Sequence, residues 1–212
     1  MNIFYLDQDI TKCAQAHVDK HVSKLILEAA QMMATAIRKT RGELDTVRYL
    51  TTKGTVSKNR KKVYLLEDDH LEVIDDELVI TSYENNIYLN GYEKHPCTLW
   101  VQESIDNYMW LYYLCQELNE ECLYRGYNEH LSWKKIQSWP LPELPNKGLT
   151  EHARAFKDPY KEECMAIEST LEAYRHYYQF GKFHLMTYTK RKPPEWLPQD
   201  IWVKNNDVYR II

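Results

Sequence analysis

Five polar residues suited to acid–base chemistry or anion binding recur between residues 17 and 31 at the spacing of one helix face. They are His17, His21, Lys24, Glu28 and Gln31. At 100° per residue these positions fall within an arc of about 80° on a helical wheel. Apolar residues of the same stretch, such as Val22 and Ile26, form a separate sector. A helix with a chemically specialised polar stripe beside its apolar face is predicted to line a cleft.

The centre of this stripe suits a phosphate. Lys20 and Lys24 place two ammonium groups within about one turn of the His21 imidazole. Glu28 could act as a base on a bound substrate or orient His21, so His21 and Glu28 form the predicted catalytic pair. Since no recognised nucleophile accompanies them, catalysis is left open. A solvated helix face with i,i+4 ion pairs is the alternative interpretation.

A metal site is the other chemistry that these residues suggest. His17 and His21 form H-x-x-x-H, and Glu28 lies on the same predicted face. The glutamate does not follow the first histidine directly, as it does in the zinc-protease motif, and it lies about three turns from His17. The nearby lysines would also repel a dication. We therefore predict no metal and no cofactor, and keep a metal-dependent hydrolase as an alternative.

The elements that must position these residues are mostly helical. Periodic apolar residues predict long helices over 10–38, 98–124 and 161–188. Residues 46–92 are instead rich in β-branched and aromatic side chains, with turns expected at Asp75-Asp76 and Asn85-Asn86. Proline makes 139–159 an ordered loop, and the tail after residue 188 is predicted to be extended and to end in a strand. The predicted fold class is mainly α: one helical domain over 1–212, with a small antiparallel β insertion at 46–92.

Composition limits the class of protein. The chain has 212 residues, 17 of them Tyr and only 6 Gly, and a net charge of −4. Without a global positive field, any phosphate recognition must come from a local cluster. The 5 scattered cysteines contain no C-x-x-C and are typical of reduced thiols in a cytoplasmic protein. No apolar run approaches the ~18 residues of a membrane helix, so no membrane association is expected.

Further candidate ligand-binding residues are scattered along the chain. His95 precedes a proline at a predicted helix start, and Ser104 and Asn107 follow on the next helix at i,i+3 spacing. Arg125 and His130 come at the end of that helix. Arg175 stands among tyrosines, which suits a stacked base or phosphate as well as routine cation–π packing.

Several linked motifs resemble an uncharacterised family of tailed-bacteriophage proteins. They are NIFYLDQD, CAQAHVDKHVSKLILEAAQ, HPCTLWVQESIDNYMWLYYL, the YR…H of residues 124–130, AYRHYYQFGK and TKRKPPEW. The resemblance covers residues 1–40 and 95–197 and implies a phage protein acting in the cytoplasm of the infected bacterium. It supplies no activity. The family's recurring polar motif maps onto Asp19, Lys20, His21, Lys24, Glu28, Gln31, His95, Trp100, Ser104, Asn107, Arg125, His130, Arg175 and Lys182.

The favoured hypothesis is a phage protein that binds a phosphorylated nucleotide in a helical cleft lined by Lys, His and Arg. It would either sequester that nucleotide, as a host immune signal or metabolite, or process it. One alternative is a DNA-acting enzyme, either a glycosylase or a base-modifying transferase with a flipped base in the cleft. The net negative charge makes nucleic acid the less favoured partner. A structural protein is the remaining alternative, and exposed Tyr and Trp surfaces would suit a homodimer.

Overall fold

The computed structural model describes residues 2–51 and 53–211, over which helices alternate with two small sheets. The α-helices are α1 (Ile10–Gln15), α2 (Asp19–Arg41), α3 (Pro96–Glu103), α4 (Ile105–Arg125), α5 (Leu131–Ile136), α6 (Lys161–Ala166) and α7 (Thr170–Gly181). The strands are β1 (Glu43–Tyr49), β2 (Lys61–Leu65), β3 (His70–Ile74), β4 (Glu77–Ser82), β5 (Thr187–Thr189), β6 (Trp202–Asn205) and β7 (Val208–Ile211). Short 3-10 turns lie at Glu84–Asn86 and Phe183–Leu185.

The predicted mainly α fold class is wrong, because helices make up 42% of the chain and strands 17%, in two sheets. The protein is a mixed α/β structure. The second sheet accounts for much of the difference between the predicted and the observed strand content. It has the order β5-β7-β6 and is antiparallel throughout. Its strands are three or four residues long, too short for a clear alternation of apolar and polar residues, so the sequence predicted only an extended tail with one strand.

The first predicted helix is in fact two helices. Asp9 caps α1 by accepting a hydrogen bond from the Lys12 main-chain N–H at 2.9 Å. The chain then turns at Val18, whose backbone is extended (φ −64°, ψ 155°) and whose N–H donates to the Tyr178 hydroxyl at 2.9 Å. His17 lies in this break and is not part of the polar stripe of α2.

A second break separates α3 from α4 at Ser104, inside the helix predicted over 98–124. The Ser104 hydroxyl caps α4 by accepting from the Asp106 N–H at 3.3 Å, and it also accepts from Lys147 N at 3.2 Å. Gly126 ends α4 in the left-handed conformation (φ 92°) that a glycine adopts without strain. Helices α3 and α4 both pack against α2, which makes α2 the centre of the main core.

Strands β1 to β4 form a separate sheet beside the end of α2, in the order β2-β1-β4-β3. The central pair β1/β4 is parallel, and the two outer pairs are antiparallel. The predicted turn at Asp75-Asp76 is confirmed: both residues have positive φ (50° and 58°), as the tight β3–β4 hairpin requires. We call residues 43–93 the β insertion.

One buried ion pair attaches the β insertion to α2. Arg38 Nη1 lies 2.7 Å from Asp69 Oδ2 and Arg38 Nη2 lies 3.0 Å from Asp69 Oδ1, with both side chains fully buried. The same guanidinium donates to the carbonyls of Tyr64, Ile87 and Tyr88 at 2.9, 3.1 and 2.7 Å. Every donor of Arg38 is therefore directed at the β insertion. Over the described ranges, no helix is long and apolar enough to cross a membrane.

Candidate active site

The polar stripe of α2 forms one wall of a cleft of about 290 Å³. The other walls are the N-terminal segment, the start of α3, the loop before α6, and α7 with the residue that follows it. We call this the Glu28 cleft. It is lined by Asn2, Phe4, His21, Lys24, Leu25, Glu28, His95, Pro96, Arg154, Ala155, Phe156, Lys157, Lys161, Met165, Tyr177 and Lys182.

Glu28 is held at the floor of the cleft. Its Oε2 accepts a hydrogen bond from the Asn2 main-chain N–H at 3.0 Å, and its Oε1 lies 3.3 Å from Lys24 Nζ. The Glu28 side chain is 13% exposed, whereas that of Lys24 is 59% exposed. The carboxylate is thus oriented from two sides and still accessible to a ligand, with an exposed ammonium group beside it.

Positive charge surrounds this carboxylate. Among the described residues that line the cleft, five are cationic and Glu28 is the one acid: Lys24, Arg154, Lys157, Lys161 and Lys182. Burial lowers the pKa of Lys182, and the positive charges of Lys157 and Lys24 lower it further. Its Nζ lies 4.9 Å from the centre of the Tyr177 ring. Such a concentration of cations is most favourable when an anion occupies the cleft.

Besides lining the cleft, Arg154 holds in place the loop that carries other cations of the cleft. Its guanidinium donates to the Ile167 carbonyl at 2.6 Å, to the Glu168 carbonyl, and to the Thr170 hydroxyl at 2.9 Å. These contacts fix the loop against the connection between α6 and α7. Lys157 and Lys161 follow on the same loop and its helix.

His21 is neutral in this environment. Burial, together with the neighbouring positive groups, lowers its pKa to about 3. Its Nδ1 lies 2.9 Å from the Tyr178 hydroxyl, and its ring stacks on Phe4 with 4.8 Å between centres. Seven residues separate it from Glu28, a rise of about 10.5 Å along α2. His21 therefore shapes the cleft wall and does not reach the Glu28 carboxylate.

His95 contributes to the opposite wall at the start of α3. Its Nδ1 accepts a hydrogen bond from the Cys97 N–H at 3.2 Å, so the ring acts as the helix N-cap. Burial lowers the pKa of His95. With His21, Lys24, Glu28 and Lys182, it is one of the sequence-predicted residues that the structure brings to the cleft.

The other predicted site residues lie elsewhere, and most of them support the fold. Arg125 is the clearest case, because its donors are all engaged around the α1–α2 break. It donates to the carbonyls of His17 and Gln15 at 2.8 and 3.1 Å, and to the carboxylates of Asp19 and Glu121 at 2.9 and 3.0 Å. Arg125 thus fastens the start of α2 to the end of α4.

Arg175 plays a similar part for the N-terminal segment. It donates to the Leu6 carbonyl at 3.0 Å and pairs with Asp7 and Glu172, each at 3.2 Å. Its guanidinium also lies 5.5 Å from the Trp196 ring centre. Arg175 lines a different cavity, shared with Lys12 and Lys192.

The remaining candidates are buried or capping groups. Asn107 donates to the Trp100 carbonyl at 2.8 Å and to the Thr150 hydroxyl at 2.7 Å, and His130 caps α5. Trp100 stacks on His152 with 4.7 Å between ring centres. The placements of the others follow: Ser104 caps α4, His17 is buried, Lys20 is exposed on α2, and Gln31 lines a second cavity.

The two histidines of the H-x-x-x-H motif do not face a common point. His17 Nδ1 lies 2.7 Å from the Cys13 carbonyl oxygen, and burial lowers its pKa to about 4. His21 is bonded to Tyr178 instead. Among residues 2–51 and 53–211, no three His, Cys, Asp or Glu side chains are grouped as metal ligands.

Sequence reasoning missed most of the cleft. The residues not predicted as site residues include Asn2, Phe4, Arg154, Lys157, Lys161 and Tyr177. One signal was present in the sequence, since ARAFKDPYK places three cations in a proline-rich segment that cannot be helical throughout. Which surface that segment would cover is set by long-range contacts and not by its own pattern.

Comparison with known families identifies the class of this protein. Residues 1–135 match a family described as pyrimidine dimer DNA glycosylase. Because the match spans 135 of 212 residues, the chain belongs to this family. The match favours the DNA-acting alternative over a nucleotide-binding protein, and DNA over a free nucleotide as the partner. Comparisons with curated proteins and with solved structures gave no match.

Proposed function

We propose that the protein is a DNA glycosylase that releases a damaged pyrimidine, with Glu28 as its catalytic carboxylate. The observation that carries this proposal is the position of Glu28 on the floor of a cationic cleft, within the part of the chain that matches the glycosylase family. The phage origin and cytoplasmic setting suggested by sequence resemblance remain predictions.

Glu28 suits the chemistry of glycosidic bond cleavage. As the bond between C1′ and the base breaks, positive charge develops on the sugar ring, and a fixed carboxylate stabilises that charge. The hydrogen bond from Asn2 and the ion pair with Lys24 orient Glu28 before the substrate arrives. The same carboxylate can accept a proton from the group that attacks C1′. His21 is neutral at pH 7 and does not serve as the acid.

The cations of the cleft suit the DNA backbone. A nucleotide placed with its C1′ beside Glu28 brings its flanking phosphates to the rim, where Lys24, Lys157 and Lys161 lie. The base itself must leave the helical stack to reach this position. Phe4, Phe156 and Tyr177 offer aromatic walls for it, with 5.2 Å between the ring centres of Phe156 and Tyr177.

An amine in the cleft would extend the reaction to strand cleavage. Once the base is lost, the opened sugar carries an aldehyde, which an unprotonated amine attacks to form an imine with loss of water. Removal of a proton from C2′ then expels the 3′ phosphate and cleaves the strand. Lys182, whose pKa burial lowers, carries an amine of this kind in the cleft. Borohydride reduction during the reaction tests this route, since it converts the imine into a stable covalent complex.

The direct test is base release from a duplex that carries one cyclobutane thymine dimer. The wild-type protein is expected to generate alkali-labile sites in this duplex and none in the undamaged duplex. Glu28→Gln is expected to form them about 10²–10⁴-fold more slowly. If the wild-type protein released no base from the dimer duplex or from ultraviolet-irradiated DNA, the proposed function would be wrong.

A further inference from the structure

A second cavity lies next to the Glu28 cleft, where the β insertion meets α2. It measures about 260 Å³, and we call it the tyrosine pocket. The residues that matter here are Gln31, Tyr49, Lys61, Tyr88 and Tyr92. Gln31 follows Glu28 by three residues on α2, so their Cβ atoms are about 5–6 Å apart on the same helix face. The two cavities therefore lie beside neighbouring residues of α2.

Tyr92 has an unusual backbone at the rim of this pocket. Its φ is +54°, in the left-handed region that bulky side chains rarely adopt, and its side chain is 65% exposed. A large aromatic residue held in a strained conformation and exposed to solvent contributes little to the core. Strain of this kind persists only where surrounding contacts impose it, and such positions cluster at ligand sites.

The contacts that impose this conformation come from α2 and the β insertion. Gly91 N donates to Thr35 Oγ1 at 3.0 Å, and the buried Asn90 side chain bonds to Tyr64 N and the Lys62 carbonyl, each at 3.2 Å. Arg38 holds the Tyr88 carbonyl at 2.7 Å. We call residues 88–92 the strap. These contacts fix the strap residues that precede Tyr92, so the exposed ring is a preorganised surface.

Polar groups suited to a nucleobase stand beside the ring. Among the described residues, the Gln31 side-chain amide has no hydrogen-bond partner, so both its donor and its acceptor are available to a ligand. Lys61 adds an amine from β2, with Glu93 as its neighbouring carboxylate. An aromatic ring, an amide and a nearby cation are the groups with which proteins bind an unstacked base and its phosphate.

We propose that the tyrosine pocket binds the base that flanks the damaged nucleotide on the same strand, stacked on Tyr92 with its edge at Gln31. This inference rests on the proposed function. When the damaged nucleotide leaves the helical stack, the flanking base loses a stacking partner, and the Tyr92 ring would replace it.

Binding to DNA tests the stacking contact without turnover. The probe is a duplex in which a tetrahydrofuran abasic analogue replaces the damaged nucleotide, and affinity is measured by fluorescence anisotropy. Tyr92→Ala is expected to weaken binding by about 5- to 150-fold, the loss expected for one stacked base. Tyr92→Phe retains the ring and should bind as the wild type does. Tyr113→Ala, at an exposed tyrosine on α4 that lines neither cavity, is the matched control and should also leave affinity unchanged.

The position of the stacked base is read with 2-aminopurine, whose fluorescence reports stacking. It is placed in turn at each flanking position and opposite the abasic analogue. A fluorescence change on binding that occurs at a flanking position and is lost in Tyr92→Ala supports the proposal. A Tyr92-dependent change seen only on the opposite strand, or full affinity in Tyr92→Ala, would overturn it and leave the glycosylase function standing. Failure of the wild-type protein to bind this duplex and to process the dimer duplex would overturn both.

Discussion

At the scale of single residues, the substitution Glu28→Gln separates the effect of the negative charge of Glu28 from the effect of its hydrogen bond. In Glu28→Gln the amide oxygen can still accept from the Asn2 N–H, but the negative charge next to the sugar is lost. We expect the rate of base release to fall by about 10²–10⁴-fold, the usual contribution of a positioned acid–base group. The rate is measured under single-turnover conditions on the dimer duplex.

Glu120→Gln is the control for this prediction, because Glu120 is an exposed residue on α4 outside the cleft. Its rate and melting temperature should match those of the wild type. Equal rates for Glu28→Gln and wild type would show that another group performs the chemistry.

Buried histidines make stability depend on pH. Burial lowers the pKa of His17 and of His152 to about 4, against about 6.5 in the unfolded chain. The unfolded state therefore binds more protons between these values, and the stabilising effect is present above pH 6.5 and lost as the pH falls towards 4. Urea unfolding at several pH values should show the free energy of unfolding declining over this window.

His152→Phe should reduce that decline. The imidazole of His152 is stacked between Tyr5 and Trp100, with 3.8 and 4.7 Å between ring centres, so a phenyl ring can take its place without titrating. His184→Phe, at an exposed histidine, should keep the wild-type pH dependence. An unchanged slope in His152→Phe would show that His152 does not contribute.

Residue spacing predicted part of the site and could not have predicted the rest. His21, Lys24 and Glu28 are close in sequence on one helix, so a local period was enough to place them on one face. Arg125 and Arg175 were expected at the same anion, but their partners are main-chain carbonyls of residues 6–17, over 100 positions away. A pattern of residue types contains no information on which distant carbonyl an arginine will meet.

At the scale of elements, helices were predicted in the right places but as longer units. The periodicity of apolar residues continues across Ala16–Val18 and across Ser104, because both sides of each break pack against the same core. What ends these helices is local: an extended Val18 and a capping serine. The sequence signal of one such residue is weak compared with the apolar periodicity of a 25-residue window.

The junction between α2 and the β insertion depends on Arg38. Removing one partner of a buried pair leaves the other charge unsatisfied, so Arg38→Ala should lower the free energy of unfolding by about 3–5 kcal/mol. Urea unfolding measures this loss. Since Arg38 also anchors the strap at Tyr88, hydrogen exchange of residues 88–92 should rise in the same variant.

An exposed ion pair provides the comparison. Lys134 pairs with Glu129 at 3.1 Å, and their side chains are 55% and 39% exposed. Lys134→Ala should cost less than about 1 kcal/mol and leave exchange in the strap unchanged. If Arg38→Ala cost no more than Lys134→Ala, the buried pair would not be what holds the insertion in place.

At the scale of the whole molecule, a chain of net charge −4 concentrates positive charge in one cleft. DNA binding should therefore weaken with salt, with a slope set by the few phosphates that are contacted. Lys157→Gln combined with Lys161→Gln should reduce the slope of log K against log salt by up to about 2, since each lost phosphate contact removes about 0.9. Anisotropy titrations at several salt concentrations measure the slope.

The matched double variant is Lys134→Gln with Lys204→Gln, two lysines that line neither the Glu28 cleft nor the tyrosine pocket. It makes the same change in net charge but should leave the slope near the wild-type value. Equal slopes for the two double variants would show that DNA follows another path over the protein.

Two stretches of the chain that can change independently in evolution form the cleft. The carboxylate lies within residues 1–135, whereas four of the five cations lie beyond residue 135: Arg154, Lys157, Lys161 and Lys182. Under the proposed function, changes in the second stretch alter contacts with the DNA backbone without disturbing the carboxylate that acts on the glycosidic bond. Lesion preference could thus diverge among relatives while the underlying reaction stays constant.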